Sequence, residues 1–182
     1  MTVPVAPTPL NVGFLTVLHE ASGYLGGYLV TNTWGRPLEF RLSTAVQPNR
    51  VHQILYGGTL EPYVCADLIA KTLVDKTGSP VQLLVTDTPA VLDLRLKVAT
   101  PVVWLAAVDD PFAARAAQAA CVRPAGDGRG PLLCHPRFPE DVAGVRQLLQ
   151  QLEGAMDLAE PLARIREAIA EARKMGVTRS AA

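Results

Sequence analysis

The chain of 182 residues has single-domain length and is long enough to bury a sizeable core. Its 17 Lys+Arg balance 17 Asp+Glu, so charge gives no reason to expect nucleic acid or an anionic membrane as partner. A net charge of zero also does little to keep copies of the chain apart.

Cys65, Cys121 and Cys134 are odd in number and widely spaced, which fits free thiols in a reducing compartment better than a disulfide framework. The start, MTVPVAPTPLN, lacks the basic end and apolar core of a signal peptide, and no apolar run has the length of a bilayer span. The expectation is a soluble, cytoplasmic protein.

The three prolines of residues 1–11 predict a flexible, extended lead-in. Val12 to Leu18 is apolar at nearly every position, which suits a strand covered on both faces. Tyr24 to Thr31 is likewise apolar on both faces, whereas Leu38, Phe40 and Leu42 alternate with Glu39, Arg41 and Ser43 in the period of a half-buried strand. Asn32-Thr33-Trp34-Gly35 between them offers positive φ for a tight turn. The two segments form a hairpin, with Leu38, Phe40 and Leu42 expected to face a helix of residues 61–76. Gly26-Gly27 weakens the strand unless it marks a bulge or admits a close neighbour.

Asn49 caps a short helix from Arg50 to Tyr56. A longer one runs from about Glu61 to Lys76 with Pro62 in its first turn and Val64, Cys65, Leu68, Ile69 and Thr72 as its apolar face. Beyond Gly78 come strands at Val81–Val85, Val102–Ala107 and Leu132–His135. They are separated by a helical segment opened by Thr88-Pro89 and an alanine-rich helix opened by Asp110-Pro111. Strand, helix, strand, helix, strand with short links predicts parallel crossovers. The fold class is therefore α/β: a mixed sheet with an N-terminal antiparallel meander, three β-α-β type strands and a C-terminal helical pair.

In that pair, Val142, Val145, Leu149, Leu152 and Met156 recur at helical spacing, Gly154 allows a fold-back, and Asp157-x-x-Glu160 reads as a capping box. Leu158, Leu162, Ile165 and Ile169 make a narrow stripe, expected to mediate association with a second copy. By domain, residues 12–138 form the α/β unit, 139–176 a helical hairpin packed on it, and 177–182 a disordered tail.

Ligands of open α/β sheets bind outside the carboxyl ends of the parallel strands. Asp87, Asp109, Cys134 and His135 end the three predicted parallel strands, so a shared rim of two acids, a thiol and an imidazole is the candidate for acid–base or nucleophilic chemistry. Thr88 and Asp110 are equally what a helix N-cap before proline requires. Trp34, at a hairpin tip, is a candidate anchor for a protein partner. His19, Glu20 and His52 stand without a second ligand nearby. Signatures for phosphate loops, dinucleotides, zinc proteases, serine hydrolases and paired-cysteine metal sites are absent, so no cofactor and no metal are expected.

The segment Thr59-Leu60-Glu61-Pro62-Tyr63-Val64-Cys65-Ala66-Asp67-Leu68-Ile69 resembles the zinc segment of the cytidine/tRNA-adenosine deaminase family over eleven residues. Tyr63 stands where that family has its first cysteine, Cys65 alone matches a ligand, and the H-x-E element has no counterpart. The resemblance implies at most a catalytically inactive deaminase-like domain. The functional expectation is a non-enzymatic protein-interaction or scaffold module, partnered by itself or another protein. Its alternative is a small-molecule enzyme using the rim.

Overall fold

The computed structural model describes residues 8–176. The predicted lead-in up to residue 7 and the tail 177–182 lie outside the described residues. Seven strands form one mixed sheet, flanked by helices on both faces, which is the expected α/β class. They are β1 (Asn11–Glu20), β2 (Gly23–Asn32), β3 (Pro37–Leu42), β4 (Leu83–Thr86), β5 (Val102–Leu105), β6 (Cys121–Arg123) and β7 (Leu132–Cys134), in the order β3-β2-β1-β4-β5-β7-β6. The meander is antiparallel, and β1, β4 and β5 run parallel.

The helices are α1 (Arg50–Tyr56), α2 (residues 60–75), a 3-10 segment (Pro89–Leu96), α3 (Pro111–Ala120), α4 (Asp141–Leu152) and α5 (Ala159–Lys174). Their starts follow the sequence signals. Asn49 Oδ1 accepts from His52 N–H at α1, and Asp110 Oδ1 accepts from Phe112 and Ala113 N–H at α3. Asp157 Oδ1 accepts from Ala159 N–H at α5, and Gly154, with φ +77°, makes the predicted fold-back.

Four expectations need correction. The strand at Leu132–Cys134 is antiparallel to β5, because the alanine-rich helix runs into an unforeseen strand, β6, and the chain returns through a hairpin instead of a crossover. Local periodicity cannot separate the two, since a parallel return needs a long connection and the Gly-rich stretch 125–130 makes a tight one.

α2 is π-helical over Tyr63–Ala70. Val64, Cys65 and Ile69 are buried as expected, but the wider turn puts Leu68 and Thr72 toward solvent and buries Ala66, Ala70 and Leu73 in their place.

The register of β3 is opposite to the predicted one. Arg41 pairs with Tyr28 and Glu39 with Val30, two residues whose side chains pack with α2, so Glu39 and Arg41 lie on the α2 face. Phe40 pairs with Leu29, on the other face. The physical reason is that Glu39 Oε2 accepts from the N–H groups of Gly78 and Ser79, two loop amides just past α2 that have no main-chain acceptor.

Finally, the stripe expected to associate is interior. Leu158, Leu162, Ile165 and Ile169 are buried with Val12, Phe14, Leu25 and Leu29. β1 and β2 need cover on both faces, and α5 supplies it on this one.

Gly26 and Gly27 admit close neighbours; the ladder irregularity of this strand falls at Val30/Thr31 instead. A methyl group on Gly26 would overlap Ile69 Cγ2 of α2, and one on Gly27 would overlap Ile165 Cγ2 of α5. Adjacent residues of a strand point to opposite faces, so the pair lets one helix settle close on each side of the sheet.

Candidate functional site

All strand ends at one edge of the sheet follow from the topology. The carboxyl ends of β1, β4, β5 and β6 lie there with the start of β7. Asp87 and Asp109 therefore stay at the expected carboxyl edge, whereas Cys134 and His135, ending the reversed strand, go to the opposite one. The four predicted rim residues do not converge.

At the opposite edge, His135 is buried in a structural network. Arg137 N–H donates to its Nδ1 at 3.1 Å, which places the proton on Nε2, 3.3 Å from Asp93 Oδ1. Arg95 lies beside it, bonded through Nε and Nη2 to both oxygens of Asp141 and stacked 3.9 Å from the Phe138 ring centroid.

Cys134 is 1% exposed, and its thiol is pushed up to about 12 by burial, with the Asp141 carboxylate adding to the shift. Cys65, where the sequence resembles a zinc segment, is also 1% exposed and pushed up to about 12 by burial, then by Glu61. It packs between α2 and the sheet, while Tyr63 stacks on Tyr56 with ring centroids 4.3 Å apart. Among the described residues no three His, Cys, Asp or Glu side chains gather as a metal would require.

These thiols carry a testable consequence. At pH 8 a thiol reagent such as dithionitrobenzoate is expected to modify half-buried Cys121 in the folded protein, and all three cysteines only after denaturation. Because both core thiols are raised from the ordinary 9.0 to about 12, the unfolded chain loses those protons first. Their stabilisation is therefore complete below pH 9.0 and is lost between 9.0 and about 12. Urea midpoints measured from pH 8 upward should fall through that window, and a Cys65→Ala, Cys134→Ala variant should show a shallower fall.

The carboxyl edge holds a cleft of about 450 Å³ between the end of β5, the β6–β7 hairpin and α5. Leu105, Ala106, Val108, Leu162 and Ala163 make its apolar walls. Gly130 sits so close to Ala106 that a side chain there would overlap the Ala106 carbonyl, and this packs the hairpin against β5. Asp87 lines the cleft, but its carboxylate is committed. Oδ1 accepts from Thr16 Oγ1 at 3.0 Å, and Oδ2 accepts from Arg166 Nε and Nη2 at 2.9 and 2.7 Å. It pins α5 to the end of β4. Asp109 is exposed in the loop beyond β5.

The cleft also receives Arg123 from the end of β6 and Arg129 from the hairpin, neither of which sequence reasoning singled out. Neither has a carboxylate partner among the described residues. Arg123 Nε is buried without a hydrogen-bond partner in the protein, and its Nη2 reaches Gly130 O only at 3.5 Å. The signal that could have found Arg123 was the run Cys121-Val122-Arg123, which the alanine-rich helix before it disguised as a helix end.

Of the remaining candidates, His19 stacks on Tyr24 at 3.9 Å, Glu20 pairs with Arg173, and His52 makes an edge contact with Tyr56. Trp34 is 76% exposed at the hairpin tip, where Asn32 Oδ1 accepts from Trp34 and Arg36 N–H. Among the described residues no helix is long and apolar enough to cross a membrane. No protein-family model matches the chain, and no curated protein matches it.

Proposed function

We propose that the protein is a binding module for a small organic anion, held in the cleft at the carboxyl edge of its sheet. The observation that carries this reading is the pair of guanidinium groups, Arg123 and Arg129, without carboxylate partners among the described residues, beside apolar walls. Guanidinium matches the two-oxygen geometry of a carboxylate or phosphate, while Leu105, Val108 and Leu162 suit an apolar body. The volume lies within the range of small-molecule pockets. Binding is favoured over catalysis because the one strand-end acid in the cleft, Asp87, has both oxygens occupied by Thr16 and Arg166. Three free thiols, two of them in the core, suit a reducing compartment, and the cytoplasm is the location proposed.

Calorimetric titration tests the reading with phenyl phosphate and benzoate, which join an oxyanion to a ring, and with inorganic phosphate and benzyl alcohol, which offer one feature each. One of the ring-bearing anions is expected to bind at least about tenfold more tightly than either single-feature probe. Arg129→Ala, on the exposed hairpin, should weaken it by about tenfold, and added salt should weaken it further. Failure of both ring-bearing anions to bind, or binding that Arg129→Ala leaves unchanged, overturns the assignment.

A further inference from the structure

Among the described residues β3 is the last strand at its edge of the sheet, with β2 as its one ladder neighbour. Leu42 pairs with Gly27, and Ser43 N–H donates to Gly26 O at 2.9 Å. Bonding sense alternates along an antiparallel ladder. Ser43, Arg41 and Glu39 therefore direct their main-chain groups at β2, and Leu42 and Phe40 direct theirs away from the sheet, up to the bulge at Leu38.

An open edge invites pairing unless charge, proline or a bulge blunts it. Pro37 stands only at the strand's first position, and the bulge lies near that same end. Leu38 and Phe40 are 48% and 41% exposed, and Trp34 at the hairpin tip is exposed as well. The two charged residues, Glu39 and Arg41, form an ion pair with each other on the α2 face. The opposite edge of the sheet, β6, has only three residues and an irregular ladder, so β3 is the edge with length to pair.

The geometry points to a second copy of this chain as the occupant, joined by antiparallel pairing of β3 with β3 about a twofold axis at Phe40. In that register Phe40 meets the partner's Phe40, and Leu38 meets the partner's Leu42. Glu39 falls opposite the partner's Arg41, and Arg41 opposite the partner's Glu39. The charges are thus complementary to themselves on reversal of the strand. They also fall at the non-hydrogen-bonded positions, where side chains approach most closely. α5 and α2 make most of their sheet contacts with β1 and β2, not with this edge strand. Five paired residues a side, 38–42, make a small interface, and an affinity in the micromolar range is expected.

The test is sedimentation of the intact chain from about 1 to 500 µM, a range that spans such an affinity. The unaltered protein should pass from monomer to dimer. Glu39→Arg and Arg41→Glu each set like charges opposite one another and should weaken self-association at least tenfold. An equimolar mixture of these two variants puts opposite charges back in register and should restore a dimer, now of one copy of each.

A protein that stays monomeric throughout, or variants whose mixture forms no dimer, overturns the proposal. So does a dimer that both charge reversals leave intact. If either variant does not fold, hydrogen exchange on the unaltered protein decides instead. Protection of the Phe40 and Leu42 amides that rises with protein concentration supports the pairing, and its absence overturns it.

Discussion

Asp141→Ala is expected to destabilise the protein by about 3–5 kcal/mol, the cost of leaving one member of a buried ion pair alone. Arg95 and Asp141 side chains are 14% and 8% exposed, and two bonds of 2.6 and 3.2 Å join them. The third donor of Arg95, Nη1, goes to Val98 O at 2.9 Å, so the guanidinium is held from both sides. The pair ties the 3-10 segment before β5 to the first turn of α4, at the point where the chain leaves β7 and crosses to the other face. Equilibrium urea unfolding measures the loss. The double variant Arg95→Met, Asp141→Leu should recover most of it, because an apolar pair of similar volume leaves no charge buried. A loss of under about 1 kcal/mol in Asp141→Ala would mean the site hydrates freely and the buried pair is not what holds this turn.

Gly26→Val is expected to cost about 3 kcal/mol, the upper end for overpacking a well-filled core. The added Cβ falls on Ile69 Cγ2, with Leu73 Cδ1 and Val17 Cγ2 within 4 Å, so α2 must lift from the sheet. Gly27→Val should cost a similar amount through Ile165, with Ile169 behind it. Gly144, exposed at the end of the first turn of α4, has nothing within 4 Å of its notional Cβ. Gly144→Ala should therefore stabilise the chain by about 0.5–1 kcal/mol through helix propensity and a less free unfolded state. Combining Gly26→Ala with Ile69→Ala should be less damaging than the sum of the two changes, since the overlap is specific to that pair. Thermal or urea unfolding of the four variants checks the pattern; equal effects at Gly26 and Gly144 would show that close helix approach is not what the glycine serves.

The local elements were legible in the order of the residues. Asn49, Asp110 and Asp157 announced three helix starts, Gly35 and Gly154 announced turns, and the apolar runs of β1, β2, β4 and β5 announced covered strands. Each of these signals acts within a few residues, where hydrogen bonds and allowed φ/ψ are decided by immediate neighbours.

Tertiary structure decided what those elements do with their faces and directions. β7 turned antiparallel because three residues at Cys121–Arg123 found a sheet edge, a choice no local period encodes. That reversal dispersed Asp87, Asp109, Cys134 and His135 and brought Arg123 and Arg129 to a cleft beside Asp87. Leu162 and Ile165 read as an unpartnered stripe, yet β1 and β2 cover them across more than a hundred residues of chain. Leu38 and Phe40 read as core, yet two amides at Gly78 and Ser79 drew Glu39 to the inner face and left them at the open edge. Periodicity says that a face is apolar or polar; which partner covers it depends on groups distant in the chain competing for the same surface.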